Sequence, residues 1–295
     1  MENKSQQTRL ISTPTRTAEI MKRYQLTMKK SLGQNFLVEP NILERMVEAA
    51  DIGPDTTVIE IGPGIGSLTE FLARSAKEVL AFEIDARFVE ILQETLSPYD
   101  NVRVVQQDIL KVDFESQEYE FIKQATDLIV VANLPYYITT PIIMHLLQSQ
   151  LPFRSMVMLM QKEVAERMTA EVGTKAYNSL TVAIQRQMSS QLAFVVPRTV
   201  FIPKPNVDSA VLKLSRLNQP RIKVDDALDF EKFVKACFIH RRKTLWNNLK
   251  TYANQHGYDI EKAFQMSGIE AQRRAESLSL EDFSQLYHEL ITSNR

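Results

Sequence analysis

The stretch VIEIGPGIGSLTEFL, Val58 to Leu72, decides the fold: an apolar run, then Gly62, Gly64 and Gly66, then an amphipathic run. The first part reads as a strand and SLTEFLARSA (67–76) as a helix. The glycines therefore sit at a strand-to-helix turn, where a ligand can lie against bare backbone and a helix end offers free N–H groups. Outward from this unit the pattern alternates. TTVIEI (56–61), EVLAFEI (78–84), NVRVVQQ (101–107), DLIVVA (127–132) and SMVMLMQ (155–161) read as strands, with ARFVEILQETL (86–96) as a helix among them. NILERMVEAADI precedes them as a helix ending near Gly53-Pro54. KEVAERMTA and NSLTVAIQRQM follow as helices, and QLAFVV and SAVLKLSRL as the final strands. Alternation at this spacing predicts an α/β fold with a mostly parallel sheet covered on both faces and its chemistry at the carboxyl ends of the strands.

Past Leu217 the texture changes. Pro220 marks a linker, and DFEKFVKACFIH, RKTLWNNLKTYANQ, IEKAFQM and LEDFSQLYHELI carry helical periodicity. The expected organisation is a polar extension at 1–28, mobile up to Tyr24, a catalytic domain at 29–217 and a small all-helical domain at 218–295. With 295 residues, 44% of them hydrophobic, the chain has ample material for a core, and disorder throughout is excluded. No apolar stretch reaches the ~18 residues of a membrane span, and MENKSQQTRLISTPTR lacks the apolar segment of a signal peptide, so a cytoplasmic protein is expected. Cys237 is the single cysteine and the four histidines are scattered, with no C-x-x-C or H-E-x-x-H spacing. No structural metal is expected.

A net charge of -1 argues against an indiscriminate nucleic-acid binder, yet totals conceal local fields. The first thirty residues hold Lys4, Arg9, Arg16, Lys22, Arg23, Lys29 and Lys30 against Glu2 and Glu19, and KACFIHRRKTLWNNLK (235–250) forms a second basic run. Two separated patches suit a polyanion; either also reads as a solvated charged face.

The glycine turn alone is a weak signal. The dinucleotide fingerprint is G-x-G-x-x-G, whereas here the third glycine comes one position early, and Glu60 beside it sits awkwardly with a pyrophosphate. The next strand ends in Glu83, followed by Asp85, where an acidic side chain accepts from ribose hydroxyls. The strand after it leads to Asp108, placed to accept from the amine of an adenine flanked by Ile109. Taken singly, Glu83, Asp85 and Asp108 also read as helix or turn caps. Jointly, three strand ends describe an adenosine pocket without a phosphate clamp, and S-adenosylmethionine is the common cofactor of that description.

The fourth strand runs into NLPY, Asn133 to Tyr136. An Asn-Pro turn with a boundary aromatic is its plain reading. Beside a methyl donor the residues acquire work. An exocyclic amine on a base is a poor nucleophile, because its lone pair is delocalised into the ring. Acceptors that hold its hydrogens out of plane localise that pair: the Asn133 side-chain oxygen for one hydrogen, the Leu134 carbonyl for the other. Pro135 stiffens the turn and Tyr136 stacks on the base. Phe201, in VFIPKPNVDSAV, offers a second aromatic face or, equally, a core plug under its loop. A cytosine-ring mechanism needs a cysteine nucleophile, and Cys237 lies far off in the helical region.

KKSLGQNFL (29–37), IEIGPGIGSLT (59–69), FEID (82–85), QQDIL, NLPYYITTP, FIPKPNVDSAV (201–211) and FIHRRKTLWNNL (238–249) together make the chain resemble the ribosomal RNA adenine N6-dimethyltransferases, closely so their bacterial small-subunit branch. The resemblance implies a class I S-adenosylmethionine-dependent methyltransferase, Rossmann-like, with a seven-strand mostly parallel sheet and an all-helical carboxyl domain that engages rRNA. It implies cofactor contacts from Asn35, Leu37, Gly62, Glu83, Asp108 and Asn133, with Gln34-Asn35-Phe36 over the cofactor. Catalytic roles fall to Asn133, Leu134, Tyr136 and Phe201, and RNA contacts to Lys29, Lys30, Arg241, Arg242 and Lys243. The implied reaction moves four methyl groups to N6 of two adjacent adenosines in the 3'-terminal hairpin loop of 16S rRNA, late in assembly of the small (30S) subunit, by a monomeric enzyme. Tyr137 and Thr139 stand where relatives often have Asn and Ser. Three alternatives stand beside this expectation: a non-catalytic small-subunit assembly factor, a large-subunit rRNA adenine methyltransferase conferring macrolide-type resistance, and a DNA adenine methyltransferase.

Overall fold

The computed structural model describes residues 10–26 and 35–293. Helix α1 (Pro14–Arg23) opens the described chain. The Thr13 side chain accepts from the Arg16 N–H, and Pro14 at the first turn has no N–H to leave unpaired. A two-residue strand, β1 (Phe36–Leu37), leads to α2 (Pro40–Ala50). The alternating section follows as β2 (Thr57–Ile61), α3 (Ser67–Ser75), β3 (Glu78–Glu83), α4 (Ala86–Thr95) and β4 (Val102–Gln106). The short α5 (Glu120–Lys123) precedes β5 (Leu128–Asn133), α6 (Thr139–Gln148) and β6 (Ser155–Gln161). Then come α7 (Lys162–Met168), α8 (Ser179–Gln187), β7 (Met188–Val196), β8 (Phe201–Ile202) and β9 (Ser209–Arg216). Helices α9 (Ala227–Cys237), α10 (Leu245–His256), α11 (Ile260–Ser267) and α12 (Leu280–Thr292) complete it.

Seven strands form the main sheet in the order β4-β3-β2-β5-β6-β9-β7. The pairs from β4 through β6 are parallel, and β9 joins β6 antiparallel. Every residue of β2 is buried, as are the first five of β5, because helices cover both faces of a parallel sheet. The order reverses at β2, with β3 on one side and β5 on the other. That reversal opens a crevice beyond the carboxyl ends of β2 and β5.

The described chain divides into two compact units. The first, up to Ala165 and again from Gln191 to Ser215, packs α2 and α3 against one sheet face through Leu43, Met46, Leu68 and Leu72. A second cluster in it joins Ile11 and Ile20 to Phe36, Ile65, Phe88 and Leu92. For residues 10–24 this corrects the expectation of a mobile segment up to Tyr24. Ile20 is buried, the Ile11 N–H donates to Glu70 Oε2 at 2.8 Å, and Glu94 accepts from Tyr24 and pairs with Arg23. A buried isoleucine contributes about 1.5–3 kcal/mol, which adds to these polar ties in holding a ten-residue helix that polar composition had disguised. Residues 1–9, and 27–34 with Lys29, Lys30 and Gln34, lie outside the described residues.

The second unit differs in extent from the expected helical domain, since residues 166–190 group with Arg216 onward. The reason is packing. Tyr177 and Val182 belong to the same core as Phe230, Phe233, Leu249, Phe283 and Leu286, although the sequence places NSLTVAIQRQM among the helices of the catalytic domain. The basic triplet also differs from its expected place on a helix. Arg241, Arg242 and Lys243 form a turn after α9, and α10 starts only at Leu245, with Thr244 as its cap.

Candidate active site

A cavity occupies the crevice at the sheet's reversal, lined by the ends of β2, β3 and β5, the chain after β4, and β1 with β8. Asn35, Leu37, Gly62, Glu83, Asp108, Asn133, Leu134, Tyr136 and Phe201 all line it. Widely separated stretches meet there because β1 and β8 pair antiparallel, setting Leu37 opposite Phe201 and Phe36 opposite Ile202. Two-residue strands have no periodicity to read, so this pairing was invisible in the sequence.

The three glycines divide their labour. Gly62 and Gly64 line the cavity and Gly66 does not. Gly64 has φ +60°, and a Cβ there would come within 3.3 Å of the Phe36 ring. Gly66, at the head of α3, has φ +93°, and a Cβ would meet Leu96 Cδ2 at 3.1 Å and Leu92 Cδ2 at 3.3 Å. The third glycine thus lets α3 start hard against α4, which explains its shifted spacing.

Glu83 ends β3 and is oriented by two backbone donors, the Gly64 N–H at 3.2 Å to Oε2 and the Asp85 N–H at 2.8 Å to Oε1. Burial pushes its carboxyl up, against the pull of those N–H groups. Asp85 takes the plain role: it caps α4 and pairs with the Arg87 guanidinium at 2.6 Å. Asp108 does both jobs, accepting from the Leu110 N–H at 3.1 Å through one oxygen while it lines the cavity beside buried Ile109.

Glu60 is the residue whose part the sequence left undeveloped. It is 1% exposed, lines the cavity, and its Oε2 finds no hydrogen-bond partner among the described residues. Burial, with the Glu83 charge added, pushes its carboxyl up to about 8. A carboxylate inside an otherwise apolar parallel strand was the available signal. Three acids therefore border the cavity, and none of its described lining residues is Lys, Arg or His. Such a lining disfavours a phosphate and favours a ligand that is cationic or neutral and partly apolar.

At the other end, Asn133 closes β5 opposite Leu159, and the Leu134 N–H donates to the Leu159 carbonyl at 3.1 Å. The turn is fixed twice more: the Ile138 N–H and the Thr139 hydroxyl donate to the Pro135 carbonyl at 3.2 and 3.1 Å. Tyr136, half-buried, shares a hydrogen bond of 2.8 Å with the fully buried Ser209 hydroxyl, and burial raises its phenol. Phe201 is 3% exposed, so it is a core residue whose edge also lines the cavity; its two readings are compatible.

The model of the family described as ribosomal RNA adenine dimethylase matches residues 25–292. The chain belongs to that family. Among curated relatives of this dimethylase, the "Ribosomal RNA small subunit methyltransferase A" of Streptococcus equi subsp. zooepidemicus is 53% identical over 273 residues, 92% of this chain and 94% of the relative. The protein of the same name from Geobacillus kaustophilus is 52% identical, covering 95% and 97%. Among solved structures, a dimethyladenosine transferase from Plasmodium falciparum aligns with a TM-score of 0.70 at 28% identity, covering 86% of this chain and 96% of that one. The 23S rRNA methyltransferase ErmE aligns at 0.64 and 27%, covering 86% and 99%.

The dimethylase family and this Rossmann-like fold make the protein an S-adenosylmethionine-dependent rRNA methyltransferase. The cavity fits that cofactor: Glu83 and Asp108 border it, the buried Glu60 Oε2 has no hydrogen-bond partner among the described residues, and none of its described lining residues is Lys, Arg or His, which suits a ligand carrying positive charge. Cys237 is fully buried and burial holds its thiol well above the usual range, so it supplies no thiolate. In the helical unit the basic turn is built by Asn248, which is 4% exposed. Its side chain accepts from the His240 N–H at 3.0 Å and donates to the Cys237 carbonyl at 2.8 Å and the His240 carbonyl at 3.2 Å. Arg241 is engaged, donating to the Lys175 carbonyl and pairing with Glu276 at 3.7 Å; Arg242 and Lys243 are exposed. Among the described residues no helix is long and apolar enough to cross a membrane, and no three His, Cys, Asp or Glu side chains are placed to hold a metal ion.

Proposed function

We propose that this dimethylase transfers four methyl groups to N6 of two adjacent adenosines in the 3'-terminal hairpin loop of 16S rRNA, acting as a cytoplasmic monomer on the small (30S) subunit late in its assembly. The observation that carries the methyl-transfer reading is the cavity itself, whose described lining brings Glu60, Glu83 and Asp108 together with NLPY and includes no Lys, Arg or His. The choice of subunit is supported by relatives above half identity that bear the small-subunit name.

S-adenosylmethionine, when bound, supplies an electrophilic methyl group on a positively charged sulfur. Glu83, already oriented by Gly64 and Asp85, accepts from the ribose hydroxyls, and Asp108 with Ile109 receives the adenine. Gly62, Asn35, Leu37 and Asn133 complete the enclosure. In the first transfer to each adenosine, the Asn133 side-chain oxygen and the Leu134 carbonyl each take one hydrogen of the N6 amine, which localises the nitrogen lone pair; in the second, the single remaining hydrogen goes to one of the two acceptors. Tyr136 offers a face to the extruded base, and Phe201, nearly buried, meets it with its edge. No strong base is required: the leaving group would be a neutral thioether, and the N6 proton, acidic only once the methyl has been accepted, passes to solvent. Arg241, Arg242 and Lys243, with Lys29 and Lys30, supply phosphate contacts.

The test is transfer of isotopically labelled methyl to four substrates: unmethylated small subunits, mature methylated small subunits, unmethylated large-subunit rRNA and duplex DNA. Label confined to the first, recovered as N6,N6-dimethyladenosine at adjacent positions, is the expected result. Label on large-subunit rRNA or on DNA overturns the choice of substrate. Binding to small subunits without any label leaves an assembly factor instead.

A further inference from the structure

Two large apolar side chains that are mostly exposed line the cavity, Ile84 at 56% and Tyr137 at 57%. Ile84 follows Glu83 at the end proposed for the cofactor. Tyr137 is one residue past NLPY, and nothing assigned so far uses it. Its neighbour Tyr136 is half-buried and tied to Ser209, whereas the Tyr137 hydroxyl has no hydrogen-bond partner among the described residues. The turn that carries both is held at Leu134, Ile138 and Thr139 by bonds to the Leu159 and Pro135 carbonyls. An exposed aromatic ring is thus presented at the cavity mouth on backbone that is already fixed, so little ordering remains when it is covered.

A nucleotide drawn out of its stack leaves the base beside it with one uncovered face, and an aromatic side chain covers such a face by stacking. We propose that Tyr137 is a second base site, stacking on the nucleobase next to the adenosine held at NLPY. This rests on the methyl-transfer reading above and adds the neighbour to it. Where the two target adenosines adjoin, the base on Tyr137 is the other substrate, held at the mouth while its partner reacts. Tyr136 and Tyr137 then form an inner and an outer platform one residue apart, matched to nucleotides one position apart.

The experiment compares wild type, Tyr137→Ala and Tyr137→Phe on unmethylated small subunits, recording kcat, KM for the subunit, S-adenosylmethionine affinity by calorimetry and Tm. With stacking as the role, Tyr137→Ala raises KM about tenfold or more and Tyr137→Phe stays within about twofold of wild type. Cofactor affinity and Tm hold in both. A Tyr137→Ala enzyme with wild-type KM overturns the second site while leaving the methyl-transfer reading intact. Equal damage in the Ala and Phe variants overturns stacking in favour of the hydroxyl, and lost cofactor affinity overturns it in favour of a cofactor wall. Wild type that transfers no methyl to small subunits overturns the functional reading and this site with it.

Discussion

Asn133 combines two positions that rarely coincide: it is the last rung of a central strand, paired with Leu159, and its side chain borders the cavity. The backbone is therefore fixed by the sheet while the amide is left for a ligand. Asn133→Ala preserves the rung, and with it the backbone that borders the cofactor, and removes the acceptor, so turnover is expected to fall ~10²-fold or more, as for loss of one oriented polar group, with cofactor affinity largely kept by Glu83, Asp108 and the glycine turn. Unchanged turnover in a purified assay, with calorimetry showing intact cofactor binding, would remove Asn133 from the chemistry. Glu60 makes a different kind of prediction. Folded, its carboxyl holds a proton up to about pH 8; unfolded, it releases that proton in the ordinary carboxylate range. The folded state thus binds more protons between those limits. The stability this group contributes is full at low pH and is lost as pH rises through about 8. In thermal melts of cofactor-free protein, Glu60→Gln should lose less stability than wild type as pH rises from about 5 to 8. Parallel curves for the two proteins would show that Glu60 is ionised throughout.

At the scale of elements, the central strands were legible because they are apolar runs bounded by turn residues, and SMVMLMQ was read to the residue as β6; the edge strand β7, MSSQLAFVV, alternates in burial and begins at Met188, three residues before the QLAFVV read as its start. The strand ends followed, and with them Glu83, Asp108 and NLPY, since chemistry placed at strand termini inherits the accuracy of the strands. What escaped reading was structure created by contact. Helix α1 has few apolar residues of its own and is held by Ile20, by Ile11 ahead of it and by two carboxylates, Glu70 and Glu94, from distant helices. The Thr13-Pro14 start was its one local signal. The β1–β8 pair, which brings Leu37 to Phe201, has no local signal at all. The triplet at 241–243 was placed on a helix because RKTLWNNLKTYANQ is periodic, yet Thr244 caps that helix and Asn248 folds the preceding residues into a turn. A buried asparagine four residues into a helix, bonded to backbone upstream of the cap, is a turn-former whose purpose appears only in three dimensions.

For the whole molecule, a net charge of -1 means that affinity for RNA cannot come from overall attraction and must come from where the cations are placed. The basic turn shows how placement separates neighbours in sequence. All three side chains are exposed, but Arg241 also donates to the Lys175 carbonyl and pairs with Glu276, partners within its own unit. Each phosphate contact displaces condensed counterions, so the slope of log K against log salt counts contacts, at roughly 0.7 per phosphate on single strands. Removing all three charges is expected to weaken binding to small subunits and flatten its salt dependence. Replacing Arg242 and Lys243 with Gln should account for most of that change, flattening the slope by about 1–1.5 with Tm held. Arg241→Gln alone should instead lower Tm and move the slope less, because its loss frees Glu276 and a backbone carbonyl before it costs the RNA anything. Kinetics separate this from catalysis: the double variant raises KM for the subunit and keeps kcat once subunits saturate, because the cavity residues are untouched. An unchanged salt slope in the triple variant would show that the turn is ordinary surface charge and that the RNA is held elsewhere.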